Sequence, residues 1–261
     1  MDLAGNTILI TGGGSGIGLA LAQEFKKLGN TVIVAGRSAA KLADASAKGL
    51  RTLNVDMTDV SSVEASAALV VAQYPALNIV IHNAGMMVNE KLTTRNNSRA
   101  AIDTIGTNLI GPIVLTNALL PHFLNQPSAV IMTVTSGLAF VPLALTPTYS
   151  ATKAAIHSYT QSLRYQLKNS SVEVKELVPP YVRTSLMGER QAQHVNAMPV
   201  DEFVSEVMSI LRHDPRIEEI LVKRVQPQRQ SSDEGTAKYA AFFSKQNEAL
   251  MAARKKEWDA L

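Results

Sequence analysis

Residues 7–29, TILITGGGSGIGLALAQEFKKLG, constrain this chain more than any other stretch. An apolar run of strand type, a glycine turn and a segment of helical apolar period follow one another without a spacer. Gly12, Gly16 and Gly18 stand four and two apart, so they do not form the G-x-G-x-x-G pattern. The physical requirements of a phosphate-binding turn still match. Gly12 permits a tight turn, Gly16 admits a phosphate close to the backbone, and Gly18 lets the helix pack closely on its strand. The amino end of that helix offers unpaired N–H groups and a partial positive charge to a pyrophosphate. A glycine turn that binds nothing would look similar, so the remainder of the chain has to decide.

Strand-type runs recur at residues 31–35 (TVIVA), 50–55, 78–82, 129–135 (AVIMTVT), 172–178 and near 219–223. Helical patterns lie between them, at 63–74, 99–124, from 149 onward and at 201–212. Such alternation predicts an α/β fold, a single-domain doubly wound parallel sheet with helices on both faces. Residues 181–200 are irregular and mix apolar with polar side chains, which suits a substrate cover at the carboxyl edge of the sheet. A catalytic domain over 1–225 accounts for these elements. From Gln226 the composition turns polar, and AKYAAFFSKQNEALMAARKKEW then sets Tyr239, Phe243, Leu250 and Trp258 on a broadly helical pattern. The extension 226–261 is thus helical in part, either docked on the domain or a partly mobile tail.

With 261 residues and 46% hydrophobic content the chain can bury one large core. It has no cysteine, which excludes disulfides and thiolate metal sites and is compatible with a reducing, cytoplasmic compartment. The five histidines are scattered, so no metal site is expected. A net charge of +3 without a long basic tract argues against a nucleic-acid partner. The strand at Thr7 leaves no room for a signal peptide, and LIGPIVLTNALLPHFL is interrupted by Pro112, Asn117, Pro121 and His122, short of a membrane span.

Chemistry concentrates between residues 133 and 168. Tyr149 and Lys153 are four apart on one helical face, and an ammonium beside a phenol favours the phenolate, which predicts a lowered tyrosine pKa. Ser136 follows a buried strand and should project from its carboxyl edge, where a hydroxyl beside a tyrosine acid can hold a carbonyl oxygen. At the end of the second strand Gly36, Arg37 and Ser38 occupy the place where an acidic residue would select a ribose 2′-hydroxyl. Arg37 and Ser38 instead suit a 2′-phosphate, which favours NADP(H), with NAD(H) possible. Asn83, Ala84 and Gly85 end the fourth strand with small residues where a cofactor can pass the backbone. Asn108, on an otherwise apolar stretch, is either a hydrogen-bond hub or part of a polar relay.

Taken together, TGGGSGIG at 11–18, NAG at 83–85, Asn108, Ser136 and YSATK at 149–153 resemble the short-chain dehydrogenase/reductase family in its compact single-domain, Rossmann-type form. VTSGLAF and YSATKAAIHS resemble its DltE-like branch. The resemblance implies an oxidoreductase that moves a hydride between a nicotinamide and a carbonyl or alcohol substrate. By it, Ser136 and Tyr149 hold the substrate carbonyl, Lys153 lowers the tyrosine pKa and binds the nicotinamide ribose, and Asn108 holds a water of the proton relay. Gly12, Ser15, Gly16, Ile17 and Gly18 would bind phosphates, Asp56 and Met57 the adenine, Asn83 to Gly85 the riboses, and Pro179 and Thr184 the nicotinamide end. A homodimer or homotetramer built on the helices around 99–124 and 149–167 is the family's habit. His82 and Pro180 depart from the asparagine and glycine usual at their positions. The apolar Leu138, Phe140, Val141, Leu143, Leu186, Met187 and Met198 suggest a hydrophobic ketone or aldehyde, against which Arg183 and Arg190 would select an anion. A dinucleotide-binding regulator without chemistry is the rival reading. A serine hydrolase on Ser136 and His157 lacks the G-x-S-x-G elbow.

Overall fold

The computed structural model describes residues 1–93, 98–233, 235–255 and 259. The chain runs β1 (Thr7–Thr11), α1 (Gly16–Lys27), β2 (Thr31–Gly36), α2 (Ala39–Ala47), β3 (Arg51–Asn54), α3 (Val60–Gln73) and β4 (Leu77–His82). It continues through α4 (Ser98–Ile105), α5 (Gly111–Leu124), β5 (Ala129–Val134), α6 (Pro147–Leu167), β6 (Val172–Val178), a short α7 (Glu189–Ala192), α8 (Val200–His213) and β7 (Glu219–Leu221). Two further helices follow, a short α9 (Gln226–Arg229) and α10 (Thr236–Ala253).

All seven strands are parallel, in the order β3-β2-β1-β4-β5-β6-β7. The expected doubly wound sheet is therefore present. Strand alternation assigns neighbouring residues to opposite layers. Ile8, Ile10, Val32, Val34, Ile79 and Ile81 pack with Phe25 of α1 and Phe203 and Val207 of α8. Leu9, Ile33, Val80 and Ile131 pack on the other face with Val63 of α3, Leu119 and Phe123 of α5 and Leu163 of α6. Strand order reverses between β1 and β4, which opens a crevice at their carboxyl ends.

Boundaries differ from the expected ones where local chemistry decides. Helix α3 begins at Val60, three residues early, because the Asp59 side chain accepts from the Ser61 and Ser62 N–H groups. Helix α6 begins at Pro147, whose ring suits a first turn. The helix expected over 99–124 is a rod, Ser98–Leu124, widened by a π-turn at Gly106–Ile110. Pro112 has no N–H to give the carbonyl of Asn108 four residues back, so the regular ladder breaks there. By length and composition alone this rod is long and apolar enough to cross a membrane, as a core helix also can be. Here its Leu115, Leu119 and Phe123 lie in the core of the sheet.

The extension beyond 225 is docked. Asn247 of α10 is buried, donates to the Pro142 carbonyl and accepts from the Ala144 N–H at 2.5 Å. Gln246 donates to the Val141 carbonyl, and Arg190 reaches the Ala253 carbonyl at 3.0 Å. Of the residues on the expected helical pattern, Trp258 lies outside the described residues.

Candidate active site

The crevice at the β1/β4 reversal is built mainly from backbone. Gly12 and Gly16 have φ of 65° and 54°, in the left-handed region that favours glycine. A Cβ on Gly12 would lie 2.7 Å from the Ala84 Cα, and one on Gly18 would strike the Asn83 amide and lie 2.7 Å from the Gly12 carbonyl oxygen. Glycine is therefore needed for the turn to pack on the end of β4, and the turn leads into the amino end of α1, where Ser15 makes no side-chain cap. Ile17 packs against the core below it. Thr184 stands over the turn, with its Cγ2 3.4 Å from where a Gly16 Cβ would be.

Asn83 braces this turn. Its amide donates to the Thr11 and Gly12 carbonyls at 3.0 and 3.2 Å, while the Thr11 hydroxyl accepts from the Asn83 and Ala84 N–H groups. Gly85 lies beside the Asn108 amide. His82 is buried just before them, with Nε2 2.9 Å from the Thr116 hydroxyl. Burial pushes its pKa down to about 4, so the imidazole is neutral at ordinary pH.

At the end of β2, Arg37 is exposed and Ser38 caps α2, accepting from the Lys41 N–H at 3.4 Å. Lys41 itself reaches back to the Ser15 hydroxyl at 3.4 Å. It joins the glycine turn to the Arg37 side of the crevice, a role no local pattern announces. Asp56 accepts from the Thr58 N–H and hydroxyl at 2.9 and 2.8 Å, which with the nearby Arg37 charge lowers its pKa. Met57 is buried beneath it, packed so closely on Gly111 that a Cβ there would meet its main chain.

Ser136, Tyr149 and Lys153 come together at the carboxyl end of β5. The Ser136 hydroxyl lies close enough to the Tyr149 phenol to favour its ionised form, and Ser136 Oγ accepts from the Leu138 N–H at 3.1 Å. Lys153 Nζ donates to the Val134 carbonyl at 2.7 Å and lies 5.5 Å from the centre of the Tyr149 ring. The Ser136 turn is tied to β6, since Gly137 N–H donates to the Pro179 carbonyl at 3.0 Å. One expectation reverses. Burial pushes the Tyr149 phenol up to about 12, against the opposing pull of the nearby Ser136 hydroxyl, and pushes Lys153 down to about 8. In the protein alone, exclusion of water penalises phenolate and ammonium more than their proximity rewards them.

Asn108 sits in the π-turn as a hub. Its Oδ1 accepts from the Met86 N–H at 2.8 Å, and its Nδ2 donates to the Met86 carbonyl and the Thr152 hydroxyl, both at 3.0 Å. Thr152 in turn donates to the Tyr149 carbonyl at 2.7 Å. Glu90, which carries no motif, is buried and holds the amino end of α6 by accepting from the Thr148 N–H and hydroxyl at 3.0 and 2.7 Å. A carboxylate there also complements the helix dipole. Tyr149 is thus fixed from both sides by residues distant in sequence.

Residues 181–200 are more ordered than expected. Val182 pairs with Met198, and the buried Gln191 ties α7 to the Val182 carbonyl and the Thr184 hydroxyl at 2.9 and 3.2 Å. Of the apolar residues expected around the substrate, Leu138 and Leu143 line a cleft of about 390 Å³ with Pro142, Pro147, Ala151 and Phe243. Val141 is fully buried instead. That cleft lies on the side of α6 turned away from Tyr149 and Lys153, neither of which lines it.

A parallel sheet with a glycine turn at its reversal and a Ser/Tyr/Lys group beyond it is an arrangement suited to nucleotide-dependent redox chemistry. Comparison with known proteins agrees. The short chain dehydrogenase family profile matches residues 6–195. The chain is 38% identical over 255 residues to the uncharacterized oxidoreductase DltE of Bacillus subtilis, covering 95% of this chain and 98% of that one. It is 32% identical to an uncharacterized oxidoreductase of Staphylococcus epidermidis, over 70% of this chain and 83% of that one. Among solved structures, a short chain dehydrogenase from Burkholderia cenocepacia in complex with NADP superposes with a TM-score of 0.75 at 24% identity, covering 97% and 98% of the two chains. One from Burkholderia phymatum in complex with NAD gives 0.76 at 21% identity, covering 90% and 95%. The chain belongs to the short-chain dehydrogenase/reductase family, in its DltE-like branch.

Proposed function

We propose that the protein is an NADP(H)-dependent carbonyl reductase acting on a medium-sized hydrophobic ketone or aldehyde, or oxidising the corresponding alcohol. The burial of Ser136, Tyr149 and Lys153 together at the carboxyl end of β5, with Lys153 Nζ 5.5 Å from the centre of the Tyr149 ring, carries this reading. When bound, the nicotinamide supplies or takes the hydride. Tyr149, kept protonated by burial, serves as proton donor to the carbonyl oxygen, and Ser136 orients that oxygen. Lys153 holds the tyrosine side of the site and the nicotinamide ribose. Asn108 fixes the helix that carries both. Gly12 to Gly18 receive the pyrophosphate, Asp56 and Met57 flank the adenine, and the backbone of Ala84 and Gly85 borders the riboses. Pro179 and Thr184 close the nicotinamide end.

Arg37, Ser38 and Lys41 at the end of β2 support a preference for the 2′-phosphate, since each offers a charge or a hydroxyl where an acid would repel it. A panel of ketones of increasing chain length, run with NADPH and NADH, tests the reading. Rising kcat/KM with each added carbon and faster turnover with NADPH are expected; binding of NADPH without turnover of any carbonyl would favour the regulator instead.

A second substrate reading has one observation in its favour. Arg183 is only partly exposed, its Nη2 reaches the Ala197 carbonyl at 3.5 Å, and its Nε is buried without a partner. Higher activity on short keto acids, lost in Arg183→Ala, would replace the hydrophobic substrate with an anionic one. The reading also includes a cytoplasmic homo-oligomer. Ile102, Ile105 and Ile110 on the Ser98–Leu124 rod and Tyr165 on α6 are exposed at 64%, 38%, 45% and 70%, which suits a symmetric helix-to-helix interface. A monomeric mass by light scattering across micromolar concentrations would remove that part.

A further inference from the structure

Among the buried ionisable side chains that the mechanism leaves without a task, Glu176 is the one tied to both catalytic segments. Glu176, in β6, has no exposed surface. Its carboxylate accepts from the Thr135 hydroxyl at 2.7 Å and faces His157 Nδ1 at 2.8 and 2.9 Å from its two oxygens. Thr135 immediately precedes Ser136, and His157 lies one helical turn beyond Lys153 on α6. The carboxylate is therefore reached from both segments that bear the candidate catalytic groups. A carboxylate with no water around it is costly, and an amide of the same shape could accept from Thr135 equally well. The charge itself needs an explanation.

Lys153 supplies one. Its ammonium is buried too, donates to the carbonyl of Val134, the residue before the Thr135 that Glu176 holds, and lies one helical turn from the His157 that Glu176 also holds; the Glu176 charge counteracts the effect of burial on it. The other charged neighbours have partners of their own, although Arg229 also feels the Glu176 charge. Glu219, beside Glu176 in the sheet register, is paired with Arg229 at 2.7 and 3.2 Å, while Arg164 donates to the Val174 carbonyl and lies 3.6 Å from Glu218. Tyr149 on the same helix face is a neutral phenol. His157 turns its ring edge to Phe140, with centroids 4.8 Å apart, so the imidazole is clamped as well as hydrogen-bonded.

We propose that Glu176 is a positioning residue of the active site, a buried counter-charge held by Thr135 and His157 that keeps the Lys153 ammonium charged and oriented beside Tyr149. The proposal deepens the proposed function, and its central test does not depend on a substrate. Protein labelled with ¹³Cε-lysine is titrated from neutral to alkaline pH by NMR, with the Lys153 signal assigned by Lys153→Arg. The titration is done with and without NADPH. Glu176→Gln should move the Lys153 transition to lower pH by about one unit or more, and Glu176→Asp should restore most of it. With acetophenone as probe substrate, the alkaline limb of turnover should move in the same direction. If no carbonyl turns over, the functional reading fails while the lysine titration still reports on Glu176. An unmoved Lys153 transition in Glu176→Gln, with or without a uniform fall in turnover, overturns the proposal and leaves Glu176 a structural brace. Should Glu176→Gln not fold, His157→Gln serves: it retains a donor to Glu176 and removes any imidazole charge. The Lys153 transition then stays or rises, and a fall overturns the proposal.

Discussion

The two halves of the sheet handle the same problem, a polar site at the carboxyl edge, with different materials. On the β1–β3 side the site is mostly main chain. Two left-handed glycines, a helix amino end and an asparagine spent on bracing the turn leave little side-chain chemistry inside. On the β5–β7 side the site is side chains, and several are ionisable: Tyr149, Lys153 and Glu176 are buried, and His157 is half-buried. The first kind tolerates no added volume but depends little on pH. The second depends on which protons are present, and on partners from β5, β6, α6 and the segment around Glu90.

The sharpest test of this contrast is Tyr149→Phe. It should reduce turnover by about 10²-fold or more while NADPH binding, followed by fluorescence, stays near that of the unaltered protein. Near-normal turnover would remove the tyrosine from its role, and lost NADPH binding would show that the two halves are not separable. Arg37→Ala should weaken NADPH about ten- to a hundredfold, the value of a lost charge-assisted contact of about 1.5–3 kcal/mol, and leave NADH nearly unchanged. Equal weakening of both cofactors places Arg37 outside the phosphate site.

Gly18→Ala should cost about 1–3 kcal/mol of stability, because the new methyl meets the Asn83 amide and the Gly12 carbonyl, which are held by the turn itself. Gly137→Ala, in the substrate half, should cost less, since the main obstacle is the end of the Gln228 side chain, which can turn aside. Equal losses in denaturant unfolding would undo the distinction between main-chain and side-chain construction. A pH-dependent test falls on His82, between the halves. Its folded pKa is depressed to about 4, so the unfolded chain binds the extra proton between about pH 6.5 and 4. Stability from this residue is complete above about 6.5 and is lost as pH falls through 4. His82→Asn should show a shallower acid loss than the unaltered protein, and an identical pH dependence would mean the imidazole is not buried in its neutral form.

Much of the first half was legible because its chemistry is local. Strand, turn and helix lie within residues 7–29, and the demand for glycine at 12, 16 and 18 is a demand of the backbone there. Ser136, Tyr149 and Lys153 were legible for a related reason: helical spacing and the end of an apolar strand put them on one edge. Their proton affinities were not. The i,i+4 pairing correctly predicts proximity, whereas the depth of water exclusion, which raises the phenol and lowers the ammonium, depends on everything packed around them. Glu90, Lys41 and Glu176 carried no pattern at all, because each meets its partners across the fold: Glu90 and Thr148 are 58 residues apart.

Sequence alone determined the alternation of strands and helices, hence the parallel sheet, the glycine turn at its reversal and the gathering of Ser136, Tyr149 and Lys153 at one edge. These follow from periodicity and backbone sterics, which act over a few residues. Tertiary structure decided that Asn108 is a hub in a π-turn, that α10 docks through Asn247 on the 141–144 segment, and that Lys153 shares its burial with Glu176. Those outcomes depend on desolvation and on hydrogen bonds between distant segments, and both are set only when the chain has closed around them.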